Sequence, residues 1–133
     1  MELLVDTNTL SYIIRGRQPV LDRFEESARK GNTFLLASVA HYELQRYLDL
    51  KGSSRLMRRY QGLVTPWQRC NLLFEDWNHA AVLWAEHHRA GRSIADLDLL
   101  LAVLALKHHA VLVTSNTKHF EGLDIPLADW SQP

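Results

Sequence analysis

Cysteine is all but missing from this chain: Cys70 is the only one among 133 residues. That excludes an intramolecular disulfide and a cysteine-based zinc knuckle, and a lone thiol fits a reducing compartment. Net charge is missing as well, because 15 acidic residues offset 15 Lys and Arg. Bulk electrostatics therefore carry no nucleic-acid signature, and any such surface must come from local placement. No apolar run approaches the roughly 20 residues of a membrane-spanning helix. Met1-Glu2 lacks the basic start of a signal peptide. Repeats and low-complexity tracts are also absent. The expectation is a cytoplasmic chain with no membrane contact, forming one domain over residues 1–133. With 47% apolar and 23% charged residues, the composition is that of a globular chain able to bury a core.

What is present is organised around Leu3-Leu4-Val5-Asp6-Thr7-Asn8. Three apolar residues run directly into an acid, which reads as a buried strand with Asp6 at its carboxyl end. Thr7 or Asn8 is then the expected cap of a helix over Thr9 to Arg15. Val20, Leu21, Phe24 and Ala28 form one apolar helical face. Thr33 to Ala37 reads as a second buried strand, and Ser38 as the cap of a helix to about Leu50. A helix over Arg55 to Leu63 follows, then a turn at Thr65-Pro66. Asn71 to Phe74 is expected as a third strand, with Asp76 or Asn78 capping a helix to about Ala90. Ser93 is expected to open a helix to His109. Val111 to Thr114 reads as a fourth strand and Leu127 to Trp130 as an edge strand. Strands alternating with helices force crossover connections. The predicted class is α/β, a three-layer α/β/α sandwich around a mainly parallel sheet of four or five strands.

Four polar residues fall where a bland core would place something else. Asp6 ends the first strand, and Asn116 follows the fourth by two residues. Glu43 has Val39, Ala40, Leu44 and Tyr47 as helical neighbours, so it is expected on an apolar stripe. Asp98 has Leu101, Ala102 and Ala105 in the same relation. In parallel sheets ligands bind beyond the strand carboxyl ends, and the alternation brings all four to that edge. Gathering Asp6, Glu43 and Asp98 without compensation is costly or forces their pKa values up. A divalent cation removes that cost, and all-oxygen donors without cysteine favour Mg²⁺ or Mn²⁺ over zinc. Each residue has a plainer reading: Asp6 as a cap, Glu43 as an ion-pair partner of Arg46, Asp98 as a solvent-exposed acid if the helix is phased differently, Asn116 as a turn former. Asp96 lies two residues from Asp98 and points away from it on a helix. Ser93 to Asp96 has capping-box spacing, so Asp96 is expected to cap or to support the metal indirectly. Thr7 and Thr114 offer hydroxyls that orient the acids or touch phosphate.

The set L-V-D-T-N, S-V-x-x-x-E-L, I-A-D-x-D-x-L-L-A and V-T-S-N-T-x-x-F resembles the PIN-domain ribonucleases, and within them the VapC-type toxins of prokaryotic toxin–antitoxin pairs. The likeness spans essentially the whole chain. It implies a PIN-like fold and Mg²⁺- or Mn²⁺-dependent endonucleolysis of RNA, with transfer or ribosomal RNA as the kind of substrate. It also implies a cognate antitoxin and a homodimer. By position the family's acidic site maps onto Asp6, Glu43 and Asp98, with Asn116 in the fourth place, where some members carry Asp. Many relatives have an acid just before the final Phe; here that position is His119. Both departures bear on whether one metal or two are bound.

Arg46, Lys51, Arg55, Arg58 and Arg59 form the densest basic run, either an RNA path or a solvated helix face. Arg15 and Lys118 lie nearer the proposed site. The pairs His87-His88 and His108-His109 do not converge on one ion. His41 is expected at the surface near the cleft rim. Trp67, Trp77, Trp84 and Trp130 read as core or interface residues, with base stacking as a second reading for Trp67. Tyr12, Ile13, Leu48, Leu56 and Met57 form either core or a groove for a dimer or antitoxin partner. Two other function classes compete with the nuclease. One is a non-catalytic RNA- or protein-binding module. The other is a phosphohydrolase or receiver-like enzyme with Asp6 as nucleophile, against which stands the absence of a D-x-D pair after the first strand.

Overall fold

The computed structural model describes all residues, Met1–Pro133. Strands β1 (Glu2–Val5), β2 (Thr33–Ala37), β3 (Gln68–Cys70), β4 (Val111–Val113) and β5 (Leu127–Ala128) form one sheet in the order β3-β2-β1-β4-β5. Every pairing is parallel. The central strand β1 aligns Leu4 with Leu35 of β2 and with Leu112 of β4, and all three side chains are fully buried. Helices α1 (Thr7–Ile14) and α2 (Val20–Arg29) join β1 to β2. Helices α3 (Ser38–Lys51) and α4 (Ser54–Val64) join β2 to β3, and α5 (Phe74–Arg89) and α6 (Asp96–Lys107) join β3 to β4. The first two crossovers step along the sheet in one direction and the third steps back. Right-handed connections therefore place helices on both faces, which is the expected three-layer α/β/α arrangement. Because β1 and β4 send their connections in opposite directions, a crevice opens between their carboxyl ends.

Several boundaries differ from the sequence expectation. The third strand is Gln68–Cys70, not Asn71 to Phe74. Its register is imposed by β2, with Ala37 opposite Cys70. The more apolar Leu72-Leu73-Phe74 lies beyond it, and Phe74 is 83% exposed at the start of α5. Asp76 is therefore inside that helix, where its carboxylate accepts from the Leu73 N–H at 2.7 Å and from Lys107 Nζ at 2.8 Å. Helix α6 begins at Asp96 behind an extended Ala95, so Ser93 caps nothing and the capping box does not form. Ala37, not Ser38, precedes α3 as its cap residue. On α2 the inward position falls to Ser27 rather than Ala28, and Asn32 Nδ2 donates to the Ser27 hydroxyl at 2.8 Å.

The core is a continuous cluster of 33 buried residues centred on β1, β2, β4 and α6. Helix α6 is apolar all round: Leu99 through Ala105 are buried without interruption, as expected of a helix enclosed on every side. Trp67 is buried, its ring stacked 5.2 Å from Phe34 and tilted 6.0 Å from Phe24. It is a core residue and not a base-stacking platform. Trp130 is buried too, whereas Trp77 and Trp84 are half exposed. Of the apolar residues weighed as a partner groove, Ile13 and Leu48 are buried, and Tyr12, Leu56 and Met57 pack against the core. Of the large exposed apolar residues, Leu73, Phe74, Trp77, Val82 and Trp84 lie on or beside α5, while Met1, Tyr42, Tyr47 and Leu50 lie elsewhere. No helix is long and apolar enough to cross a membrane.

Candidate active site

Asp6 sits immediately past β1, its own N–H donating to the Val113 carbonyl of β4 at 3.0 Å. Its backbone is extended, and one carboxylate oxygen accepts from the Thr9 N–H at 2.8 Å. Asp6 is thus the cap of α1, a role expected of Thr7 or Asn8. Capping engages one oxygen, and an N-cap acid sits favourably at the positive end of the helix. The residue is only 6% exposed. Burial pushes its carboxyl above the usual value of 3.8, against hydrogen bonds from Thr114 and Thr9, and the neighbouring Asp98 charge pushes it further the same way. No Lys, Arg or His pairs with it; the Lys–acid ion pairs of the chain are Lys30–Glu26 and Lys107–Asp76, and His119 contacts Asp98 instead.

The next residue makes a second tie. The Thr7 hydroxyl donates to Glu43 Oε1 at 2.8 Å, linking the start of α1 to the second turn of α3. Glu43 is half-buried between Val39, Ala40 and Leu44, which face the core, and Tyr47, which does not: Tyr47 is exposed. Asp98 is the third residue of α6 and 31% exposed at its side chain, with Oδ2 3.0 Å from His119 Nδ1. Asp96, at the first position of that helix, is exposed and lines a separate hollow with Trp77, Ala80, Ala81 and Trp84. Asn116 joins through Thr114: its N–H donates to the buried Thr114 hydroxyl at 3.0 Å, the same threonine that bonds Asp6. The Asn116 side chain caps nothing.

The four sequence-predicted residues therefore reach the crevice between β1 and β4, together with the N-terminal ends of α1, α3 and α6. No three His, Cys, Asp or Glu side chains stand close enough to form a ready-made cage. Asp98 contacts His119, and Glu43 accepts from Thr7. The donor set fits a hard divalent cation all the same. It is all oxygen, and its most buried member is a desolvated carboxylate with a second acid beside it and no cation. His119 carried no such signal in the sequence beyond standing where an acid was expected.

A family model described as PIN domain matches residues 3–125. The chain belongs to the PIN-domain family. Among curated proteins it is 25% identical over 138 aligned residues to "Ribonuclease VapC1" of Haemophilus influenzae strain R2866, covering 99% of this chain and 100% of that protein. Among solved structures this PIN domain is similar to VapBC2 from Rickettsia felis bound to a promoter DNA fragment, at TM-score 0.83 and 24% identity, covering 98% of this chain and 99% of that one. It is also similar to VapBC-1 from nontypeable Haemophilus influenzae, at TM-score 0.81 and 23% identity over 99% and 100% of the two chains. These structural likenesses establish the fold.

Proposed function

We propose that this PIN domain is a metal-dependent endoribonuclease, the toxin of a toxin–antitoxin pair. The observation that carries the reading is the buried, cation-free carboxylate of Asp6 beside Asp98 at the crevice between β1 and β4. Its setting is a PIN-family chain aligned end to end with a protein named as a ribonuclease. Asp6, Asp98 and Glu43 would hold Mg²⁺ or Mn²⁺, with Asp96 outside the ligand set. Such an ion supplies charge neutralisation at a phosphoryl group and a water of lowered pKa.

The chain's own residues do the rest. Thr7 holds Glu43, and Thr114 holds both Asp6 and the backbone of Asn116, so two hydroxyls orient the acid set. The Asn116 side chain, engaged by no other group, is free to position the attacking water. The helix N-termini of α1, α3 and α6 favour an anionic phosphodiester at this edge. A side-chain nucleophile is not required.

RNA of the transfer or ribosomal kind is the proposed substrate. An antitoxin is the proposed protein partner, in keeping with the VapBC complexes that share the fold, and homodimerisation in the cytoplasm completes the reading. The exposed apolar residues of α5 support a protein partner of some kind.

The deciding experiment is cleavage of a mixed RNA substrate with Mg²⁺ or Mn²⁺ by the wild type, Asp6→Asn and Asp98→Asn. Metal-stimulated cleavage lost in both variants is the expected result. Cleavage that survives both substitutions overturns the site. RNA binding without turnover at any metal concentration would instead favour a non-catalytic PIN module.

A further inference from the structure

Two helical stripes leave the acid site side by side. On α1 the stripe is Thr7, Asn8, Ser11 and, one turn on, Arg15. On α3 it is Glu43, Tyr47 and Lys51, spaced four residues apart so that all three share a face. At one end the stripes are tied by Thr7 and Glu43. At the other the Arg15 guanidinium donates to the Tyr47 hydroxyl. Arg15 also lies 5.4 Å from the Tyr47 ring centroid, and the Lys51 ammonium lies 5.9 Å from it. Between the ties a polar concavity of about 220 Å³ is lined by Thr7, Asn8, Ser11, Leu44 and Tyr47.

This end is strongly cationic for a chain of zero net charge. Neither Arg15 nor Lys51 has a carboxylate partner; the Lys30–Glu26 and Lys107–Asp76 ion pairs and the His119–Asp98 contact all lie elsewhere. The Arg15 Nε is buried with no hydrogen-bond acceptor, although its outer nitrogen is directed by Tyr47. Partial desolvation works to raise the Tyr47 phenol, but the Arg15 hydrogen bond and the Arg15 and Lys51 charges outweigh it and bring it below 10.0. Lys51 and Tyr47 are exposed. Two unpaired cations fixed on one tyrosine form a phosphate seat, with the guanidinium fork held in place and the ammonium as a point charge. One helical turn, about 6 Å, separates Glu43 from Tyr47, the order of one nucleotide step along an extended strand.

Resting on the nuclease reading above, we propose that Arg15, Tyr47 and Lys51 form a subsite for the phosphodiester one nucleotide away from the scissile bond. A single RNA strand then runs along the groove between α1 and α3, past Ser11 and Asn8, into the acid site. The subsite acts on binding and register, and none of its three residues takes part in bond cleavage.

The test uses the full chain and a fluorescently labelled single-stranded RNA oligonucleotide that the wild type cleaves. Binding is measured by anisotropy in chelator over a salt series, and KM and kcat by cleavage in Mn²⁺. Lys51→Gln changes an exposed side chain and leaves the fold intact, which circular dichroism checks. Arg15→Gln and Tyr47→Ala extend the series. KM is expected to rise about tenfold for Arg15→Gln, the loss of one charge-assisted contact, with kcat within a factor of two. The slope of log affinity against log salt is expected to fall by about 0.7 for each cation removed. A residue that only clamps α1 to α3 would not change that slope. Arg46, stacked 4.8 Å over Tyr42 on another face of α3, is the control. If Arg46→Gln lowers the slope as much as Lys51→Gln, or if Lys51→Gln and Arg15→Gln leave slope and KM unchanged while the wild type cleaves, the subsite is overturned and the nuclease reading stands. If the wild type neither binds nor cleaves RNA, both fall together.

Discussion

Asp6 combines two functions that usually fall to different residues. One oxygen closes the first turn of α1 through Thr9, while burial and the Asp98 charge raise the carboxyl above 3.8. A group whose folded pKa is raised favours the fold in its protonated form. That stability is fully present below the unfolded value and is lost as pH rises through the folded one. In chelator, the wild type should therefore melt at lower temperature as pH rises from about 4 through the shifted value, and Asp6→Asn should lack that loss. Asn caps nearly as well as Asp, so the variant should match or exceed wild-type stability at neutral pH while losing cleavage. A scanning melt over pH compares the two directly. At His119 the expectation concerns affinity. His119→Asp places an acid beside Asp98 and should tighten Mn²⁺ binding, read by calorimetry; weaker or unchanged binding would remove that position from the metal site.

At the scale of elements, α6 does the most to hold the molecule together. It has buried side chains at every position from Leu99 to Ala105, and it presents Asp98 from the same first turns. Leu104→Ala should cost about 2–5 kcal/mol in denaturant unfolding, because the surroundings of a fully buried leucine collapse only partly. Asp76 ties α5 to α6. The Lys107 hydrogen bond, then the Leu73 N–H, hold its carboxyl below 3.8. With a depressed folded pKa, that contribution is present above the unfolded value and fades as pH falls through the folded one. Asp76→Ala should lower stability by about 1–2 kcal/mol at neutral pH, the size of a lost cap and ion pair, and by less in acid. Cleavage chemistry should be unaffected. The element boundaries that sequence reading misplaced lie around these helices. The run Leu72-Leu73-Phe74 is more apolar than Gln68-Arg69-Cys70, yet an edge strand is chosen by pairing with β2 and not by hydrophobicity. Ser93 looked like a cap because its spacing to Asp96 is right, but the chain stays extended through Ala95.

For the whole molecule, the metal proposal makes a thermodynamic claim. An ion that binds the folded chain and not the unfolded one stabilises by about 2.7 kcal/mol at a hundredfold excess over Kd. Mg²⁺ or Mn²⁺ should therefore raise the melting temperature by several degrees. Chelator should reverse the shift, and Asp6→Asn with Asp98→Asn should abolish it. A melting temperature indifferent to either ion would argue that the acids are structural. Asp98 contacts His119 and Glu43 accepts from Thr7.

The parallel α/β class and the carboxyl-edge placement of Asp6, Glu43, Asp98 and Asn116 were legible in the sequence alone. Both follow from local regularities: apolar strands of fixed length, helices of fixed period, and a crossover rule with one hand. What only the tertiary structure decided is which groups meet. Asp6 as cap and desolvated acid at once, His119 on Asp98, Trp67 in the core, and Arg15 with Lys51 on Tyr47 all join residues from different elements. Their meeting depends on helix rotation and packing between elements, which a periodic pattern on any one element does not contain.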